Sequence, residues 1–190
     1  DQYDSLLAFI QECFNNNGKK EAFECMGAVL TYNKLDKLST NFGAYLQSRG
    51  LEKGDKIALM MPNLLQYPVA LFGALKAGLT IVNTNPLYTP REMEHQFTDS
   101  NVKAIVIAEN FAINLQQVIE NTEISIVLTA SIGGMLGAIK GRLTNFVVRK
   151  IKRMVPTYNI PNTVTVKDAI KQGSKFTLTD VESCGEDVIV

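Results

Sequence analysis

Six cations, Lys140, Arg142, Arg149, Lys150, Lys152 and Arg153, stand between Met135 and Val155 with no acid among them. Leu136, Ile139, Leu143, Phe146, Val147, Ile151 and Met154 recur through the same stretch at helical spacings. Residues 134–156 therefore read as a basic amphipathic helical insertion, a type of element that lies on anionic lipid. The competing reading is a helix that buries its apolar side and solvates its basic one. Each basic group near an anionic surface contributes on the order of 1 kcal/mol, and six without an acid favour lipid contact. The asymmetry belongs to this segment. The chain has 19 Lys and Arg against 19 Asp and Glu, so with these six set aside 13 cations face 19 acids. A neutral total provides no long-range field to gather nucleic acid.

Other chemistry-bearing residues are sparse. His95 is the only histidine, so a histidine-rich metal site cannot be assembled. Glu92 and Glu94 flank it two residues apart, which points them to different helix faces and makes a poor acid–base pair. A solvated surface position is the better reading of His95. Cys13, Cys25 and Cys184 are far apart with no CxxC pair, as in a reduced cytosolic chain. Neither GxxxxGK[ST] nor GxGxxG occurs, and Gly133, Gly134, Gly137 and Gly141 read as a flexible surface turn. Asn83, Asn85 and Tyr88 follow a strand's carboxyl end, where open α/β sheets bind ligands, but turn formation and capping are the better reading of them. No catalytic, cofactor-binding or metal-ligating residue is assigned.

The elements that must position these residues centre on Asp55–Pro90. Lys56 to Met61 is a continuous apolar run after the turn Lys53-Gly54-Asp55, which suits a strand buried on both faces of a parallel sheet. A helix over 64–77 follows, with Ala70, Gly73, Ala74 and Ala77 forming a small-residue stripe for close packing and Pro68 confined to its first turns. Gly78 stops it, and Leu79 to Val82 is the next strand. Thr89-Pro90-Arg91-Glu92 combines a cap, a proline at the first helical position and a capping box, which starts a helix over 90–100. Before this unit, Leu6, Leu7, Ile10 and Phe14 mark a helix. A hairpin turns at Met26-Gly27, and a helix over 33–47 carries Leu35, Leu38, Phe42 and Leu46. After it come strands at 103–108 and 124–129, a helix with Leu115, Val118 and Ile119 between them, a strand at 163–166 and a short helix ended by Gly173. Alternating strands and helices predict an α/β fold: a layered, mainly parallel sheet with helices on both faces. No apolar run approaches the roughly 18–20 residues that cross a bilayer.

The segments MMPNLLQYPVALFGALKAG (60–78) and VNTNPLYTPREMEHQ (82–96) resemble the amino-terminal part of bacterial long-chain fatty acyl-CoA synthetases, members of the adenylate-forming, luciferase-like superfamily. Leu30-Thr31-Tyr32 with Lys34-Leu35 is similar to the first core motif, with Lys34 where an acid is usual. Leu75-Lys76-Ala77-Gly78 is similar to the second. The resemblance runs from about Tyr3 to Val190. It implies a ligase that uses ATP and Mg2+ to form an acyl-adenylate from a long-chain fatty acid and then transfers the acyl group to CoA. It also implies that the phosphate loop, the adenine and ribose sites and the catalytic lysine lie beyond Val190. Residues 1–190 are then the amino-terminal part of the AMP-binding synthetase domain, truncated before the phosphate loop and inactive alone. Glu186–Val190 would be an unfinished strand, whose open edge at Val188–Val190 predicts self-association into a homodimer or larger species. The expected location is cytoplasmic, peripheral on the inner face of the cell membrane. Two other readings stand beside this one: a small-ligand binding module, and a peripheral membrane or partner-docking module.

Overall fold

The computed structural model describes Tyr3 and residues 5–182. The expected strand at Glu186–Val190, its edge-to-edge association and Cys184 lie outside the described residues.

At the centre is β3 (Lys56–Met60), with Ile57, Ala58, Leu59 and Met60 all buried, as its unbroken apolar run requires. It pairs in parallel with β4 (Thr80–Asn83) on one side and β5 (Val102–Ala108) on the other. β6 (Ile126–Ala130) and the two-residue β7 (Val164–Thr165) continue the sheet, giving the parallel order β4-β3-β5-β6-β7. Because side chains alternate along a strand, Ile57 and Leu59 enter one core while Ala58 and Met60 enter the other. Helices α2 (Tyr32–Ser48), α3 (Gln66–Lys76) and α7 (Val166–Gly173) cover the first face. Met93 and Phe97 of α4 (Pro90–Ser100), with Ala112 and Leu115 of α5 (Ala112–Gln116), cover the second. The layered α/β expectation is met. Helix α1 (Leu6–Asn17) buries Ile10 and Phe14 but leaves Leu6 exposed. Between α1 and α2, β1 (Glu21–Cys25) and β2 (Ala28–Thr31) form the hairpin, with Met26 and Gly27 both at positive φ, as a two-residue turn of this hand needs.

The small-residue stripe is a packing surface. Ala70, Gly73, Ala74 and Ala77 are buried, and a Cβ added at Gly73 would lie 2.7 Å from the Ser39 carbonyl oxygen of α2. Pro68 falls in the first turn of α3, where a missing N–H costs nothing. Gly78, at φ +80, ends the helix region. Lys76 is nearly buried on this face. Its Nζ pairs with Asp36, donates to Thr40 Oγ1 at 2.9 Å and lies 5.2 Å from the Phe14 ring centre. Burial pushes the Lys76 ammonium below its ordinary pKa despite the Asp36 charge.

The capping box at α4 forms as expected: Glu92 N–H donates to Thr89 Oγ1 at 3.4 Å, and Thr89 N–H donates to Glu92 Oε2 at 2.8 Å. At the amino-terminal end of the sheet, Lys103 and Asp55 form an ion pair at 2.6 Å. Partial burial pushes the Asp55 carboxyl up, but the Lys103 and Glu52 hydrogen bonds outweigh it and hold it below the ordinary value. One expectation fails in extent. The helix carrying Leu115, Val118 and Ile119 is only α5, flanked by 3-10 turns at Glu109–Phe111 and Ile119–Asn121. No side chain caps any of these three pieces, and the β-branched pair Val118-Ile119 disfavours continuation.

Candidate functional site

The basic segment begins where β6 ends. The Ser131 carbonyl accepts from Gly134 N–H at 2.9 Å and from Gln66 Nε2 at 2.7 Å. Gly133 N–H donates to Asn145 Oδ1 at 2.8 Å, and Asn145 Nδ2 donates to Ser131 Oγ at 3.1 Å. A Cβ on Gly133 would sit 2.3 Å from the Gly141 carbonyl oxygen. Gly133, Gly134 and Gly141 therefore make a tight packed turn and not the flexible surface turn expected, while Gly137 is exposed with open space around it. Gly137, at φ +87, delays the helix start, so α6 runs only over Ala138–Phe146. A π turn, Val147–Ile151, follows, with Lys152 N–H donating to the Val147 carbonyl at 2.8 Å. Arg153, at φ +50, ends the segment, and Asn110 Nδ2 fastens it by donating to the Met154 carbonyl at 2.9 Å.

The single apolar stripe expected here is divided. Leu136 and Val148 are buried against the body, whereas Ile139 is 85% exposed, Leu143 62%, Phe146 57% and Ile151 65%. The π turn accounts for part of this: five residues separate Phe146 from Ile151, and the wider turn keeps both on the outer side. An apolar surface with nothing packed on it is the result among the described residues.

The six cations do not act as one group. Arg149 is bound by Glu109, whose side chain is only 4% exposed: Arg149 Nε donates to Oε1 at 3.1 Å and Nη2 to Oε2. The Glu109 hydrogen bonds raise the Arg149 pKa above its ordinary value. Lys140 Nζ donates to the Met26 carbonyl of the hairpin turn. Arg142 and Arg149 line a cavity of about 250 Å3, and Lys150, Lys152 and Arg153 stand exposed. Glu109 is the residue that sequence reasoning missed. Its signal was available, as an acid directly after the buried strand β5 that must be solvated or paired.

His95 is exposed. Asn83 Oδ1 accepts from the Tyr67 hydroxyl at 2.7 Å, and Asn85 Oδ1 accepts from Leu87 N–H at 3.0 Å, which closes the turn. A shallow cavity of about 300 Å3 lies over the carboxyl ends of β3 and β4, lined by Met61, Tyr67, Asn83 and Asn85 among others. Among the described residues no three His, Cys, Asp or Glu side chains gather where a metal could be held. The amides of Gly133 and Gly134 are already engaged, so this turn does not offer the cradle that a nucleotide triphosphate needs. No helix of the described residues is long and apolar enough to cross a membrane.

Comparison with known proteins gives this architecture its context. Residues 10–150 match the family described as AMP-binding enzyme. The chain is 47% identical over 189 residues to the long-chain-fatty-acid–CoA ligase of Salmonella typhimurium, covering 99% of this chain and 34% of that protein. It is 40% identical over 87 residues to the ligase of the same name from Bacillus subtilis, covering 46% and 16%. The chain thus spans about a third of the length of the first of these relatives. It superposes on the crystal structure of an anthranilate CoA ligase in complex with anthranoyl-AMP with a TM-score of 0.72 at 14% identity, covering 96% of this chain and 30% of that one. On a long-chain-fatty-acid-CoA ligase from Archaeoglobus fulgidus the TM-score is 0.68 at 18% identity, covering 94% and 32%. At such identities the likeness shows the fold. With the family matched across residues 10–150 and the parallel sheet carrying helices on both faces as in those structures, this chain belongs to the AMP-binding enzyme family.

Proposed function

We propose that this chain is the amino-terminal part of an AMP-forming long-chain fatty acid–CoA ligase. The observation that carries the reading is the 47% identity to the Salmonella typhimurium ligase across 99% of the chain. In the complete protein, ATP and a fatty acid form an acyl-adenylate and pyrophosphate, and the CoA thiol then displaces AMP. Magnesium, when bound, neutralises the phosphates. The residues here supply none of those steps. They build the sheet and helix layers on which the catalytic parts rest, and the chain alone forms no acyl-adenylate. The test is fatty-acid-dependent ATP–pyrophosphate exchange by the product of the complete reading frame. Exchange with palmitate and not with benzoate supports the substrate class. Exchange with benzoate alone overturns it.

We propose a second role for the exposed side chains of the basic segment. Ile139, Leu143, Phe146 and Ile151 face outward beside Lys150, Lys152 and Arg153, an arrangement suited to an anionic membrane surface that also holds the fatty acid. Such contact places the protein on the inner face of the cell membrane. Arg149 and Lys140 are structural anchors of this lobe rather than lipid contacts. Changing Lys150, Lys152 and Arg153 together to Gln is expected to weaken binding to phosphatidylglycerol vesicles by about 3 kcal/mol, roughly a hundredfold, in a co-sedimentation assay. Unchanged binding would remove the membrane role.

A further inference from the structure

The cavity of about 250 Å3 beside α6 opens at the carboxyl ends of β6 and β7, and every charged residue that lines it is a cation. Thr129, on β6, lines it while only 6% exposed, and its hydroxyl has no hydrogen-bond partner among the described residues. Gln96 Oε1 is the buried side-chain atom left unpaired among the described residues, so the Thr129 hydroxyl is not sealed but open to the cavity and free to donate there. Gly137 and Ala138 form another wall, where nine-residue α6 starts without a side-chain cap and its first amides remain unclaimed. Arg142 and Lys167 add two cations. Arg149 also lines the cavity, but its charge is balanced by Glu109. The acid on α7, Asp168, accepts from the Thr165 hydroxyl at 2.7 Å, while Thr165 caps the helix by accepting from Asp168 N–H at 3.1 Å. Donors and positive charge therefore dominate, in a space smaller than the roughly 300–1,000 Å3 of pockets for drug-sized ligands.

We propose that this cavity is a binding site for a phosphate-class oxyanion, held by the Thr129 hydroxyl, the first-turn amides of α6, Arg142 and Lys167. The shared chemistry is a tetrahedral phosphate, either free or as the monoester head of a lipid lying along the neighbouring exposed face of α6. The site stands apart from the ligase reading, because it requires neither nucleotide nor fatty acid.

Amide NMR of the protein, titrated at constant ionic strength with inorganic phosphate and separately with a short-chain phosphatidic acid, tests the assignment. Saturable shifts at the amides of Ala138, Ile139 and Thr129 with either probe are expected. Tighter binding of phosphate marks a free anion, and tighter binding of phosphatidic acid marks the lipid head. Thr129→Val, nearly isosteric, and Arg142→Gln, on an exposed side chain, should each weaken binding roughly tenfold. Non-saturable shifts with both probes, or saturable binding unaltered in both variants, would overturn the proposal.

Discussion

Replacing Gly173 with alanine is expected to lower the unfolding free energy by about 4 kcal/mol, or to leave no folded protein at all. Helix α7 buries Val166, Ala169, Ile170 and Gly173, at spacings of three and four, against α2 and the sheet. At the last of these positions the two backbones nearly touch. An added Cβ would lie 1.8 Å from the Asn41 carbonyl oxygen and 3.0 Å from the Tyr45 Cβ. Neither atom is the loose end of a side chain, so only a shift of α7 relieves the overlap, and that shift uncovers Ile170. Helix propensity works the other way, since alanine is favoured over glycine inside a helix by about 1 kcal/mol, and the steric term must exceed it. Gly50→Ala is the comparison. Gly50 has open space around it and a φ of +85, so only left-handed backbone strain of about 1 kcal/mol applies. Urea unfolding followed by circular dichroism distinguishes the two. Equal midpoints for both variants would show that α7 is not held as described.

Arg149→Ala should cost about 3 kcal/mol, because it strands the Glu109 carboxylate in a site where that side chain is 4% exposed. The loss falls first on the basic lobe. Within residues 134–156 only Leu136, Gly141 and Val148 are buried, so the Arg149–Glu109 pair and the Asn110 contact supply much of its attachment. Hydrogen exchange should therefore quicken in α6 and the π turn before it does in β5. A Glu109→Met, Arg149→Met double variant should recover most of the stability, since apolar side chains of similar size replace a buried pair without an orphan charge. A single variant as stable as the parent would mean that Glu109 is solvated and the lobe held by other contacts.

How far the sequence revealed this molecule depends on the physics of each part. The strand at Lys56–Met60 and the helix at Pro90–Ser100 were legible because their signals are local: an unbroken apolar run in one case, a proline and a capping box in the other. The hairpin at Met26-Gly27 was legible for the same reason, as a turn flanked by two short strands. The basic lobe was legible in composition but not in orientation. Helical periodicity names the residues that share a face, yet which face turns inward is decided by partners distant in sequence. Here those partners are Glu109, Met26 and Asn110, which fix the cations Arg149 and Lys140 and the end of the segment, and leave Ile139 and Leu143 outside. The π turn that rephases the stripe has no short-range signature of its own. Thr129 and Lys167 escaped notice because the cavity they share is formed by β6 and α7, some forty residues apart in the chain.

The proposed division of labour makes this chain the scaffold of a ligase whose reaction chemistry lies elsewhere in the complete protein. The measurement is AMP release from ATP, with palmitate and CoA each present or omitted, by the product of the complete reading frame beside the 190-residue chain. Release by the complete protein that depends on both substrates, with none from the chain alone, is the predicted result. Turnover by the chain alone would contradict the division, and no release from either would contradict the ligase assignment itself.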